Sequence, residues 1–235
     1  RAVLDNGLRL LHYYDPTTPM VAVNALYDVG SRDEHPNRTG LAHLFEHLMF
    51  TGSEHAPNYE EVMQQAGGVN NAFTNVDLTN YYDVVPAQNV ETVLFLESDR
   101  LGFLTLSDDA IATQKSVVIE EFKQRVLNVP YGDLMHQVLA LAYKEHPYRW
   151  PVIGVDTSHI EQASRTDIEQ FHRRYYSPDR LVLCVAGNIT FEGDLAGSPR
   201  VNVVLLAMGT LLSSVIGTTG SSMLMIRPVL KMNSW

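Results

Sequence analysis

A run of 26 residues from Val201 to Ile226 carries no charged side chain, and it divides the chain into two parts of different chemistry. Residues 196–235 hold Arg200, Arg227 and Lys231, with no acid and no histidine. The first 195 residues hold 14 basic and 27 acidic side chains, a balance of −13 inside a total of −10. Two units are therefore expected: residues 1–195 as a folded domain and residues 196–235 as an apolar tail. The uncharged run is long enough to span a bilayer, although Gly, Ser and Thr interrupt it. Membrane contact is expected only through residues 201–226. The acidic domain lacks the basic surface that nucleic acid requires, so nucleic acid is excluded as a partner. With one cysteine, Cys184, there is no internal disulfide and no multi-cysteine metal site. Cys184 lies in a Val/Leu-rich strand pattern and reads as a small buried hydrophobe. Nine histidines and 27 acids leave imidazole and carboxylate metal chemistry open.

The chain opens on Arg1 with no apolar leader core ahead of its first strand pattern, so a leader is expected to have been removed or the start to lie upstream. Alternating or apolar runs predict strands at Leu8–Tyr13, Val21–Val29, Val69–Thr74, Thr79–Val85 and Leu181–Ala186. Helical spacing predicts helices from Thr39 to Met49, Asn58 to Ala66, Val90 to Leu101, Asp108 to Leu127, Leu134 to Tyr143, Asp156 to Ile160 and Arg165 to Tyr175. Thr39 is the expected N-cap of the first of these. Strands and helices mix without strict alternation. The expected fold class is α+β, a mostly antiparallel sheet with helices packed on one side.

The segment Gly40-Leu-Ala-His43-Leu-Phe-Glu46-His47-Leu-Met carries the chemistry. At about 100° per helical residue, His47 sits about +40° and Glu46 about −60° from His43, so two imidazoles and a carboxylate share one face. Zinc takes such ligands and, in catalytic sites, leaves a fourth position to water, whose proton a neighbouring carboxylate can accept. Leu41, Leu44, Phe45 and Leu48 are expected to wall this face and keep it poorly hydrated. The third ligand is expected to be an acid on another helix, and Glu120 and Glu121 are the candidates. Glu121 follows Val117 and Val118 at helical spacing, whereas Glu120 follows Ser116 and neighbours Lys123 and Gln124. An inward carboxylate is costly to bury unless a cation meets it, so Glu121 is chosen and Glu120 is read as a solvated acid. The histidines outside this segment lack partners at ligand spacing and read as structural.

Several separate motifs now resemble the pitrilysin family, which includes insulin-degrading enzyme and the mitochondrial processing peptidase. ThrGlyLeuAlaHisLeuPheGluHisLeuMetPheThrGlySer at 39–53 is similar to the metal helix of that family. AsnAlaPheThr at 71–74 with ThrAsnTyrTyr at 79–82 resembles its substrate-binding strand and the next strand. GlnLysSerValValIleGluGlu at 114–121 resembles its third-ligand helix. HisProTyr at 146–148, Ile153-Gly154 and PheHisArgArgTyrTyrSerPro at 171–178 follow in family order.

The resemblance implies a zinc-dependent endopeptidase acting on extended peptides. It implies one Zn2+ ion held by His43, His47 and Glu121, with Glu46 as general base. It assigns Asn71, Ala72 and Phe73 to substrate binding through a sheet edge. Where the family usually has an acid seven residues before the third ligand, this chain has Gln114, a departure expected to weaken support for the metal. The family closes its chamber with further homologous domains, so a homologous C-terminal domain or partner subunit is expected. A non-catalytic subunit of the same fold and a truncated or chimeric product are the alternative readings. The tail resembles a membrane segment of sodium–proton antiporter-like transporters and is expected to be foreign to the peptidase pattern. The style of the motifs points to a bacterial extracytoplasmic setting.

Overall fold

In the computed structural model, which describes residues 1–190, Met20–Tyr27 (β3) shows the alternation its sequence predicts. Val21, Val23, Ala25 and Tyr27 are buried, while Ala22, Asn24 and Leu26 are half-buried. The expected boundary near residue 196 and the uncharged run at 201–226 lie outside the described residues.

The other strands are Ala2–Val3 (β1), Arg9–Tyr14 (β2), Val69–Thr74 (β4), Thr79–Pro86 (β5) and Leu181–Gly187 (β6). They form one six-stranded sheet in the order β1-β2-β6-β3-β5-β4. Every neighbouring pair is antiparallel except β2 and β6. Those two join the start of the domain to its end, and a parallel pair needs such a long connection. The hairpin β4–β5 turns through Asn75, whose side chain accepts the Asp77 and Leu78 N–H groups at 2.7 and 2.9 Å. Strand β4 is left at the sheet's edge.

The helices are Leu41–Leu48 (α1), Tyr59–Gln65 (α2), Val90–Phe103 (α3), Asp108–Phe122 (α4), Leu134–Ala142 (α5), Thr157–Glu161 (α6) and Arg165–Tyr175 (α7). Helix α3 packs on β3 and β5, and α1 packs on β4, α4 and α7. The buried sheet face and these helices share one core, so the α+β architecture is the expected one. Cys184 faces the opposite side of the sheet and is half-buried, which corrects the reading of a fully buried thiol: the strand alternates, and Leu183 and Val185 take the core side.

The stretch Asp108–Leu127 is not one α-helix. It is α-helical to Phe122, and a π-helical turn follows at Lys123–Leu127. The start of α1 also differs from expectation. Gly40 is the N-cap, in the left-handed conformation at φ 91°, which favours glycine. The Thr39 hydroxyl instead accepts the Val155 N–H at 2.9 Å and bonds His159 Nδ1 at 2.8 Å. The cap comes from the buried Glu34, whose carboxylate accepts the Gly40 and Ala42 N–H groups at 3.0 and 2.8 Å. Its oxygens satisfy free N–H donors at the helix N-terminus, while burial pushes its pKa up to about 8.

Two buried clusters hold α1 from behind. Arg100 on α3 pairs with Glu97 and lies over the rings of Tyr81, Tyr59 and Phe50 at 4.5, 4.8 and 5.5 Å. Tyr81 donates its hydroxyl to the Phe45 carbonyl of α1 at 3.2 Å. On the other flank, His172 of α7 stacks near Phe45 and Tyr176 at 5.9 and 5.5 Å. Burial, aided by the Arg173 charge, pushes His172 down to about 4.

The unfolded chain holds this histidine near its ordinary value of about 6.5, so below that pH the unfolded state binds more protons. The contribution is full above pH 6.5 and is lost as pH falls toward 4. Between pH 7 and pH 5, urea unfolding should show the parent losing about 1–2 kcal/mol more than His172→Phe. Equal losses in the two proteins would show that His172 takes up its proton as readily in the folded state as in the unfolded one.

Candidate metal centre

The helical spacing delivers its expected geometry. On α1, His43 is buried and His47 partly exposed, with ring centroids 4.9 Å apart at 88°. On the neighbouring α4, Glu121 Oε2 lies 3.4 Å from His43 Nε2 and 3.5 Å from His47 Nε2. The three donor atoms lie within 4.8 Å of one another and form the metal-type cluster found among the described residues.

Tetrahedral ligands at about 2.0–2.1 Å from one ion stand about 3.4 Å apart, so the two His–Glu separations fit zinc as they are. Burial holds His43 below the ordinary histidine range, although Glu121 opposes that shift. The ring is thus kept in the neutral form that ligates metal. His43 Nδ1 is buried without a partner, so packing alone orients that ring.

The two adjacent glutamates differ in burial. The Glu121 side chain is 19% exposed and faces the imidazoles, whereas Glu120 is 55% exposed and lies 3.6 Å from Lys123. Of the two valines used to define the inner face, Val118 is buried and Val117 is exposed. Gln114 is half-buried on α4. The second carboxylate oxygen of Glu121 is taken by Arg125, whose Nη2 lies 2.7 Å from Oε1.

Glu46 stands beside this cluster without joining it. Its Oε2 accepts the Thr74 hydroxyl of β4 at 2.5 Å, which leaves Oε1 free. The same edge strand brings Ala72 and Phe73 to the cleft, while Asn71 lies on the strand without lining it. The Asn71 side chain accepts the Ala72 N–H at 2.8 Å. Across the cleft stand Val152 and Ile153, in a loop fastened to the start of α1 through Val155 and Thr39. The cleft has a volume of about 470 Å³.

Leu41, Leu44, Phe45 and Leu48 do not wall it. They point into the core, with Phe45 stacked on Phe171 at 5.3 Å, and the apolar side chains at the metal face are instead Ala72, Phe73, Val152 and Ile153. Sequence reasoning passed over Thr74, Arg125, Val152 and Ile153. Arg125 stands four residues after Glu121 and carried a local signal, as did Thr74 next to Phe73. The loop residues reach the site only through tertiary packing.

Two imidazoles and a carboxylate from two helices thus converge beside a second carboxylate and a sheet edge. The chain belongs to the insulinase family, peptidase family M16, whose model matches residues 9–156. A model for the inactive domain of peptidase M16 matches residues 162–193, and one for citrate transport matches residues 180–235.

Among curated relatives, the zinc protease PqqE of Helicobacter pylori is 34% identical over 192 residues, covering 80% of this chain and 43% of the relative. The uncharacterized zinc protease YmxG of Bacillus subtilis is 32% identical over 193 residues, covering 81% and 46%. A solved structure of a protease from Helicobacter pylori matches with a TM-score of 0.80 and 29% identity, over 94% of this chain and 51% of that one. The first half of the Escherichia coli periplasmic protease PqqL shares the fold, with a TM-score of 0.72 at 22% identity, over 89% and 44%. The chain thus spans less than half the length of the curated relatives it matches. Among the described residues, no helix is long and apolar enough to cross a membrane.

Proposed function

We propose that this chain is the metal-holding part of a zinc endopeptidase that cleaves peptides in extended conformation. We further propose that it works at full rate only with a homologous second domain or a partner subunit. The observation that carries the reading is the convergence of His43, His47 and Glu121 at zinc-type separations, with Glu46 beside them and one of its oxygens held by Thr74. His43, His47 and Glu121 would hold one Zn2+ ion. When bound, zinc polarises a carbonyl oxygen and makes water acidic.

Glu46 Oε1 then accepts the proton of the attacking water, while the Thr74 hydroxyl keeps Oε2 in place. The peptide lies along β4 as an added strand and gains main-chain hydrogen bonds there. Its carbonyl can take the place of the Asn71 side chain at the Ala72 N–H. Phe73, with Val152 and Ile153 opposite, offers apolar contact to its side chains.

The need for a second domain is supported by the relatives' length, which is more than twice the matched part. The reading as a non-catalytic subunit has less support, since all four chemical residues are present. An extracytoplasmic setting in a bacterium belongs to the same proposal, and cell fractionation checks it. Residues 196–235 remain a proposed separate tail, with residues 201–226 as the segment able to meet a membrane.

Metal analysis after chelation and reloading tests the centre: one zinc per chain is expected. Hydrolysis of a quenched fluorescent peptide should vanish with chelator and return with zinc. It should rise when the homologous second half of a relative is added. A reloaded chain that retains no zinc would overturn the proposal.

A further inference from the structure

Arg125 is the one arginine or lysine that lines the cleft among the described residues. It stands on the π-helical turn that begins two residues after Glu121. Wide turns of this kind are rare and are frequent at functional sites. Its single protein partner there is Glu121 Oε1, at 2.7 Å, on the side of the carboxylate away from the imidazoles. That contact is an ion pair through one of the guanidinium's three nitrogens. The side chain remains 68% exposed, so the rest of the fork is open to a ligand in the cleft.

We propose that Arg125 is the specificity-determining residue of this cleft and selects peptides with a carboxylate next to the bond held at the metal centre. The inference rests on the peptidase reading above and adds a substrate class to it. A planar guanidinium fork matches a carboxylate in two parallel hydrogen bonds, a pairing that an amide or hydroxyl reproduces poorly. The carboxylate can be an aspartate or glutamate side chain or a free C-terminus, since both present the same two oxygens. Of the rest of the cleft wall, His43 and His47 face Glu121 and the Thr74 hydroxyl is spent on Glu46. Ala72, Phe73, Val152 and Ile153 are apolar, and Glu46 and Glu121 repel anions. The chain as a whole carries −10, so its long-range field disfavours acidic peptides, and any preference for them must arise at short range.

The test uses the full zinc-loaded chain carrying Glu46→Gln, so that turnover does not intervene. Three labelled peptides differ in one group: an internal Glu with an amidated end, an internal Gln with an amidated end, and the Gln peptide shortened to end in a free carboxylate after the scissile position. Fluorescence anisotropy should show one or both carboxylate peptides binding about fivefold more tightly than the neutral one, the upper range for an exposed ion pair. Which of the two gains identifies the source of the carboxylate.

Arg125→Gln should remove the preference, so that the carboxylate and neutral peptides bind equally, and Arg125→Lys should keep part of it. Zinc content and circular dichroism of each variant separate this effect from lost metal or lost fold. Equal binding of all three peptides, or a preference that survives Arg125→Gln, overturns the inference while the peptidase reading stands. If zinc loads and no peptide binds even with the homologous second half of a relative added, the peptidase reading itself fails.

Discussion

Glu46→Gln is expected to bind zinc as tightly as the parent and to lose peptide hydrolysis by a factor of about 10²–10⁴, the usual worth of a positioned proton acceptor. The first half of this expectation follows from geometry. Glu46 is outside the cluster formed by His43, His47 and Glu121, so its charge is not needed to hold the ion. The second half follows from its hydrogen bond. The Thr74 hydroxyl donates to Oε2 at 2.5 Å, and an amide oxygen can accept that same bond, so glutamine preserves the side chain's placement. What glutamine cannot do is take a proton. Metal content and turnover should be measured on the same preparation, in the presence of whichever second domain gives the highest rate. Wild-type turnover in this variant would remove Glu46 from the reaction.

Glu121→Ala should weaken zinc binding by about 10²–10³-fold, as expected for loss of one ligand from a site whose total binding energy is shared among few donors. Glu120→Ala, one residue earlier on the same helix, should leave zinc affinity unchanged. The contrast is sharp because the helix separates two adjacent, chemically identical side chains. Glu121 Oε2 lies 3.4 and 3.5 Å from the two imidazole nitrogens, and the Glu120 carboxylate lies in solvent beside Lys123. Competition with a chromophoric chelator reads both affinities. Equal losses in the two variants would mean that the metal sits elsewhere.

The metal face was legible in the sequence because a helix converts spacing into direction. His43, Glu46 and His47 meet by local geometry, and the Glu121 side of α4 was marked by Val118 three residues before it. The sheet was legible for a related reason, since β3 and β6 alternate with period two. What failed were judgements about distance in space. Thr39 looked like the cap of α1, yet its hydroxyl is used by Val155 and His159, and Glu34 caps the helix instead. The apolar residues around His43 looked like walls of a dry site. A helix has a back as well as a front, and Leu41, Leu44, Phe45 and Leu48 fill the core behind it. The π-helical turn after Phe122 had no visible signal, because helical propensity does not distinguish the two windings.

The identity of the donors, the face they share and the strand pattern beside them are properties of neighbours three, four or two residues apart, and the order of residues along the chain is enough to set them. Their use as a site depends on separations of 28 to over 100 residues. Thr74 must reach Glu46, α4 must bring Glu121 to α1, and the 152–153 loop must close the cleft through its tie to Thr39. Those contacts form only when the buried sheet face and the helices collapse onto one core. That collapse is driven by apolar area and fixed by shape, not by any local preference of the residues it brings together.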